Sequence, residues 1–146
     1  MVLRDILHFK GRDVFTTTPQ DTVYNAAQKL VSNNIRALPV VNKQNMLTGI
    51  ITAWDILRLT TTNPNDFNAL LVGDYMTREV YTAGTGASVD TALCVMNERH
   101  IHHIPIVEEG NLIGMVSQGD LVRARLENVQ LEPKHMTNFV LTKYPV

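Results

Sequence analysis

Apolar positions along the chain follow two rhythms, and each rhythm occurs twice. Val23, Ala26, Ala27, Leu30 and Val31 stand at i, i+3, i+4, i+7 and i+8, the spacing of one buried face on an α-helix. Pro19 marks a turn ahead of it, and Thr22 is placed to cap its first turn. The apolar run LPVV, the polar turn NKQNM and the run LTGIIT follow, which predicts two strands joined by a hairpin. Helical spacing resumes in AWDILRL, with Ile56 and Leu59 on one side. The series then returns, with Ser88 as cap, Val89, Ala92, Leu93 and Met96 as a helical face, IPIV, the turn EEGN, LIGMVS, and a helix from about Gln118.

Superposing the two series puts Pro39 on Pro105, 66 positions apart, and the same offset pairs Val14 with Val80, Thr22 with Ser88 and Ala26 with Ala92. Beyond the hairpin turn the offset is 65, pairing Gly49 with Gly114 and Asp55 with Asp120. A one-residue difference in a polar turn is what a structural repeat tolerates, so the fold class is α/β, with a strand–helix–strand–strand–helix unit present twice. The chain divides into an N-terminal helix or linker over 1–13, a first repeat over 14–60, a connecting helix or linker over 61–79, a second repeat over 80–126 and a tail over 127–146. The connector opens polar, with the breaker Asn63-Pro64, and carries an apolar patch at Phe67, Leu70, Leu71 and Val72 that predicts a packed helix. The tail has no counterpart in the first copy and is either an extra strand at an interface or partly disordered.

Composition narrows the function without naming it. With 146 residues, 45% of them hydrophobic, the chain is long enough for one buried unit or two halves sharing a core. A formal net charge of −1 without long charged runs gives neither a nucleic acid nor an anionic membrane an electrostatic reason to bind. The single cysteine, Cys94, has no internal disulfide partner and is expected as small core filler within TALCVM. MVLRDILHFKGR lacks a signal-peptide core and no run reaches membrane-spanning length, so the cytosol is the expected compartment.

ILHFKG, VFTTTPQDTV, IRALPVV, GIITAWD, DYMT, IHHIPIV and GMVSQGD, standing in this order over roughly residues 5 to 125, resemble a tandem pair of cystathionine-β-synthase-like (CBS) domains. The resemblance implies two pseudo-symmetric βαββα repeats packed through their sheets into one module, with two equivalent clefts. It further implies an adenosine-containing ligand such as AMP, ADP, ATP or S-adenosylmethionine, a homodimer, and a regulatory role toward a partner protein rather than catalysis. A ligand-free dimerising scaffold is the alternative, and a module regulating an enzyme on a separate chain is a third.

GIITAWD and GMVSQGD carry the candidate chemistry. Thr52 with Asp55, and Ser117 with Asp120, have the spacing of a capping box, in which the hydroxyl caps a helix and the later side chain reaches back. The same short carboxylate in a helix's first turn is placed to accept hydrogen bonds from the vicinal hydroxyls of a ribose. Phosphates repelled by the carboxylates would turn to Arg36, His102, His103 or Lys10. Carried over from the resemblance, the Asp55 cleft takes Thr52, Arg36, Val80 and Ile101, and the Asp120 cleft takes Ser117, His103, Val14 and Ile35. Nucleotide-binding relatives often place a basic residue before the aspartate, where this chain has Trp54 and Gly119, which favours AMP or S-adenosylmethionine over di- and triphosphates. With reference histidine pKa values near 6.5, phosphate affinity through His102 or His103 is expected to weaken as pH rises.

Sharper readings fail. HIHH has no cysteine or carboxylate at ligand spacing, and His102 and His103 would face opposite sides of a strand. GTGAS lacks the Lys-Ser/Thr of a phosphate loop. No nucleophile–base arrangement can be drawn from Cys94 or Ser117.

Overall fold

The structure, a computed structural model, describes residues 1–63 and 65–128. In chain order the elements are α1 (Leu3–Lys10), α2 (Val23–Ser32), β1 (Ala37–Val41), β2 (Leu47–Thr52), α3 (Ala53–Thr62), α4 (Val72–Tyr75), α5 (Val89–Arg99), β3 (His103–Glu108), β4 (Asn111–Ser117) and α6 (Gln118–Asn128). Strands β1 and β2 form one antiparallel hairpin and β3 and β4 another. Both hairpins have a register irregularity at the matching place, after Val40 and after Ile106. The caps fall where the spacing puts them: Thr22 Oγ1 accepts from the Asn25 N–H at 3.1 Å and Ser88 Oγ from the Thr91 N–H at 3.0 Å. Asn34 and His100, one in each repeat, both take left-handed φ as α2 and α5 end.

The leading strand of each repeat is cut to a single parallel bridge, and proline is the reason. Thr17 donates to the Pro39 carbonyl and accepts from the Val41 N–H, while Ala83 does the same with Pro105 and Val107. The next rung back would need an N–H on Pro39 aimed at Phe15, or on Pro105 aimed at Tyr81, and proline has none. The lead segments therefore diverge from β1 and β3 instead of zipping along them.

Each repeat's core is completed by the lead-in of the other. Leu3, Ile6 and Leu7 of α1 pack with Val89, Met96, Ile104 and Val116 of the second repeat. Val72 of α4 and Met76 pack with Val23, Leu38, Ile51 and Ile56 of the first, and Phe67 and Leu70 of the connector lie against that cluster. Two equivalent glycines make the exchange possible. A Cβ on Gly49 would stand 2.6 Å from Met76 Sδ and 2.8 Å from the Thr77 carbonyl oxygen, and one on Gly114 would stand 2.7 Å from Leu7. The two hairpin tips also bond to each other, Leu47 N–H to the Gly110 carbonyl and Leu112 N–H to the Asn45 carbonyl, both at 3.1 Å. The repeats thus form one module.

Some expectations need correction. Among the described residues the connector is helical at Thr61 and Thr62, where α3 ends, and over Val72–Tyr75, so Phe67 and Leu70 of its apolar patch pack without a helix. Val31 is 82% exposed, leaving Val23, Ala26 and Leu30 as the buried face of α2. Cys94 is exposed, because α5 buries Val89, Ala92 and Met96, which face away from it. The expectation for the tail lies outside the described residues from 129 onward. Among the described residues no helix is long and apolar enough to cross a membrane.

Candidate functional site

Asp55 and Asp120 sit at the same point of their repeats, where the last strand of a hairpin turns into a helix. At the first, Asp55 Oδ2 accepts from the Thr52 N–H and hydroxyl, both at 2.8 Å, and the Asp55 N–H donates to Thr52 Oγ1 at 3.2 Å. At the second, Asp120 Oδ2 accepts from the Ser117 N–H at 2.8 Å and its own N–H donates to Ser117 Oγ at 3.1 Å. Both are complete capping boxes, with aspartate in the place more often held by glutamate or glutamine. In each case the carboxylate is locked in orientation and its Oδ1 points away from the cap.

The surroundings of the two carboxylates differ. Asp55 forms a wall of a cleft of about 970 Å³, shared between the repeats, whose other walls include Arg36, Thr52, Trp54, Val80 and Ile101. This cleft opens where the lead segment, blocked by Pro105, leaves β3, so that Glu79, Val80 and Tyr81 stand apart from His102 and His103. Tyr81 is steadied by the Arg99 guanidinium, 5.5 Å from its ring centroid. Arg58, one turn along α3, pairs with Asp55 Oδ1. Its side chain is 61% exposed, so the pair holds little energy and is easily exchanged.

Asp120, Val14 and Ile35 are not among the walls of that cleft. Lys10, at the end of α1, bonds Asp120 Oδ2 at 2.6 Å and the Met115 carbonyl at 3.0 Å. Burial pushes the Asp120 carboxyl up, but the Lys10 ammonium and the Ser117 N–H outweigh it and hold the group below its ordinary range.

His103 begins β3 and His102 immediately precedes the strand, so both reach the Asp55 cleft instead of opposite faces. His102 Nδ1 lies 2.9 Å from Gln118 Oε1. Burial first, and then the positive charges of His102, Lys10 and Arg36, push His103 down to about 4 against the pull of Asp120. It is therefore neutral near pH 7, and the pH-dependent phosphate contact expected of it has no source there. Ser117 and His103, expected on the Asp120 side, also line the Asp55 cleft.

The structure brings Arg36, Thr52, Asp55, Val80 and Ile101 together as the sequence anticipates, and adds residues that the motifs do not single out. Arg58 supplies the guanidinium that Trp54 denies at the preceding position. Its signal was available, since residues three apart on a helix share a face. Trp54, Tyr81 and Gln118 had no such signal, because only the divergence of the lead segment turns them into walls. Among the described residues no group of three or more histidine, cysteine, aspartate or glutamate side chains is arranged to hold a metal ion.

Comparison with known proteins agrees with this architecture. The CBS domain family pattern matches twice, over residues 3–61 and 72–127. The chain is 33% identical over 150 residues to the mitochondrial CBS domain-containing protein CBSX3 of Arabidopsis thaliana, covering 97% of this chain and 73% of that protein. Its fold is similar to a putative signal-transduction protein with CBS domains from Burkholderia ambifaria, with a TM-score of 0.82 at 30% identity over 91% of this chain and 99% of the other. It is also similar to the CBS domain pair of protein MJ0100 crystallised with 5′-methylthioadenosine and S-adenosyl-L-methionine, with a TM-score of 0.78 at 29% identity over 88% and 98% of the two chains.

Proposed function

Because this chain belongs to the CBS-domain family and carries two copies of its repeat, we propose that it is a regulatory module that senses an adenosine-containing small molecule in the Asp55 cleft. One observation carries the reading: an oriented carboxylate, apolar walls from both repeats and two guanidinium groups converge on a single opening large enough for a nucleotide. A relative of the same fold is crystallised with adenosine compounds. In this reading the ribose hydroxyls donate to Asp55 Oδ1, Arg58 leaves the carboxylate for the phosphate, and Arg36 joins it. Val80 and Ile101 flank the base. Charge-assisted bonds to phosphate are about twice as strong as neutral ones, so two guanidinium groups favour AMP over the sulfonium-bearing S-adenosylmethionine.

The chain offers its own probe. Trp54 is the sole tryptophan, lines the cleft and is 62% exposed. Titrating AMP is expected to change its fluorescence saturably, S-adenosylmethionine to do so more weakly, and Asp55→Ala to abolish the response while the fold, followed by circular dichroism, persists. Exposed Trp54 and Leu57 on α3 and Val122 on α6 give this module apolar surface for pairing with a second copy and for reporting ligand state to a regulated protein. The capping contacts at both aspartates would serve a ligand-free scaffold equally well. Flat fluorescence with AMP, ADP, ATP and S-adenosylmethionine alike would establish that second reading.

A further inference from the structure

The two repeats share a short motif that core packing does not explain. Val14-Phe15-Thr16 and Val80-Tyr81-Thr82 stand 66 positions apart, and in each the aromatic ring is exposed, Phe15 at 54% and Tyr81 at 47%. An aromatic left in water forgoes the burial that such side chains ordinarily gain. Tyr81 is nevertheless held in place. Arg99, in the last turn of α5, sets its guanidinium over the ring, 5.5 Å from the centroid, which is within cation–π range. Asn33 stands at the equivalent place in the first repeat; it donates to the Lys29 carbonyl at 2.8 Å and brings no charge to Phe15. The ring with a cation behind it is also the one on the cleft, since Tyr81 is a wall of the Asp55 opening and Phe15 is not.

Arg99 takes one face of the ring and leaves the other. We propose that Tyr81 is the platform on which the cleft's ligand stacks its base, and that Arg99 is the residue that positions it. The inference rests on the adenosine reading above and extends it to what selects the base. An aromatic face is negative, which opposes face-to-face stacking on a second π system; a cation behind the ring draws on that charge and eases approach to the free face. Stacking asks for a flat π surface and for no particular hydrogen-bond pattern. The cleft therefore reads the area of the base, taking a purine ahead of a pyrimidine and either ahead of a sugar phosphate that has no base. Ribose and phosphate rest on Asp55, Arg36 and Arg58 in that reading, so the base contact can be removed alone.

Calorimetry on the intact chain with AMP, UMP and ribose 5-phosphate tests the platform. The native chain is expected to bind the three in that order of affinity. Tyr81→Leu keeps an apolar side chain and removes the π face; it is expected to weaken AMP about tenfold, as losing a stacked base does, and to leave ribose 5-phosphate unchanged. Tyr81→Phe keeps the face and is expected to bind all three like the native chain. Arg99→Met is expected to weaken AMP about threefold and to add nothing to Tyr81→Leu, while Arg99→Lys restores the affinity. Both side chains are exposed, so circular dichroism should show the fold intact in every variant. Equal losses of AMP and ribose 5-phosphate in Tyr81→Leu, or no loss of AMP, would overturn the platform and leave the Asp55 reading standing. No effect of Arg99→Met, or an effect undiminished in the Tyr81→Leu background, would overturn the part given to Arg99. No heat from AMP with the native chain would sink the adenosine reading and the platform with it.

Discussion

His103 is the residue at which the two carboxylate sites feel one another, since it lines the Asp55 cleft and lies within the fields of Lys10 and Asp120. Its depressed value sets a direction. Above about pH 6.5 the imidazole is neutral in both the folded and unfolded chain and contributes nothing to pH dependence. As the pH falls from there toward the folded value of about 4, the unfolded chain takes up a proton that the folded chain refuses, and stability declines. The loss is of order 3 kcal/mol, since each pH unit separating the folded and unfolded values is worth about 1.4 kcal/mol. Urea midpoints measured at pH 7.5, 5.5 and 4.5 should fall, and His103→Gln should flatten the decline; an unchanged slope in the variant would assign it to other groups. Below the ordinary carboxylate value of 3.8, protonation of Asp120 and Asp21 adds to the loss, because both are held low in the fold. This behaviour was not legible in the sequence, where His102 and His103 are neighbours of equal standing. Burial separates them, and burial depends on strand β3 starting at His103.

At the scale of elements, the helical faces, the caps and the hairpins follow directly from spacing, because local periodicity and cap chemistry decide them. The cleft follows from an absence that spacing does not display. Pro39 and Pro105 identify the repeat by their position, yet their structural effect is the missing N–H that frees the lead segments from β1 and β3. Pro105→Ala restores a donor facing Tyr81, so the lead segment should zip onto β3 and narrow the Asp55 cleft. AMP affinity read by Trp54 is expected to fall about tenfold, a difference of 1.4 kcal/mol, with the thermal midpoint unchanged or higher. Pro39→Ala is the control, since it acts on the other lead segment and should leave the Trp54 titration in place. Equal losses from both substitutions would mean that proline acts through general stability instead of cleft width.

At the scale of the whole molecule, the two repeats were readable as copies but their exchange of lead-ins was not. Leu3, Ile6 and Leu7 have the spacing of a buried face, and nothing in that spacing says which core receives them. The steric constraint lies at Gly114, where any side chain would meet Leu7. Leu7→Ala should cost about 2–5 kcal/mol, as other deletions from a packed core do. Native-state hydrogen exchange should place the loss of protection in α5, β3 and β4, far from position 7 in sequence, and spare α2 and β1. Faster exchange confined to α1 would show that the helix is an independent appendage.

The exchange of lead-ins also fixes an order of events during synthesis. Helix α1 leaves the ribosome ahead of the core that buries it, whose residues extend to Ala124. At roughly 5–20 residues per second, its apolar face waits on the order of 5–20 s for a partner. The first repeat is in the same position for a shorter time, until Val72 and Met76 emerge to complete its core. The nascent chain therefore passes through a stage in which its first repeat is finished and its N-terminal helix is still uncovered, and that stage is where a chaperone would meet it.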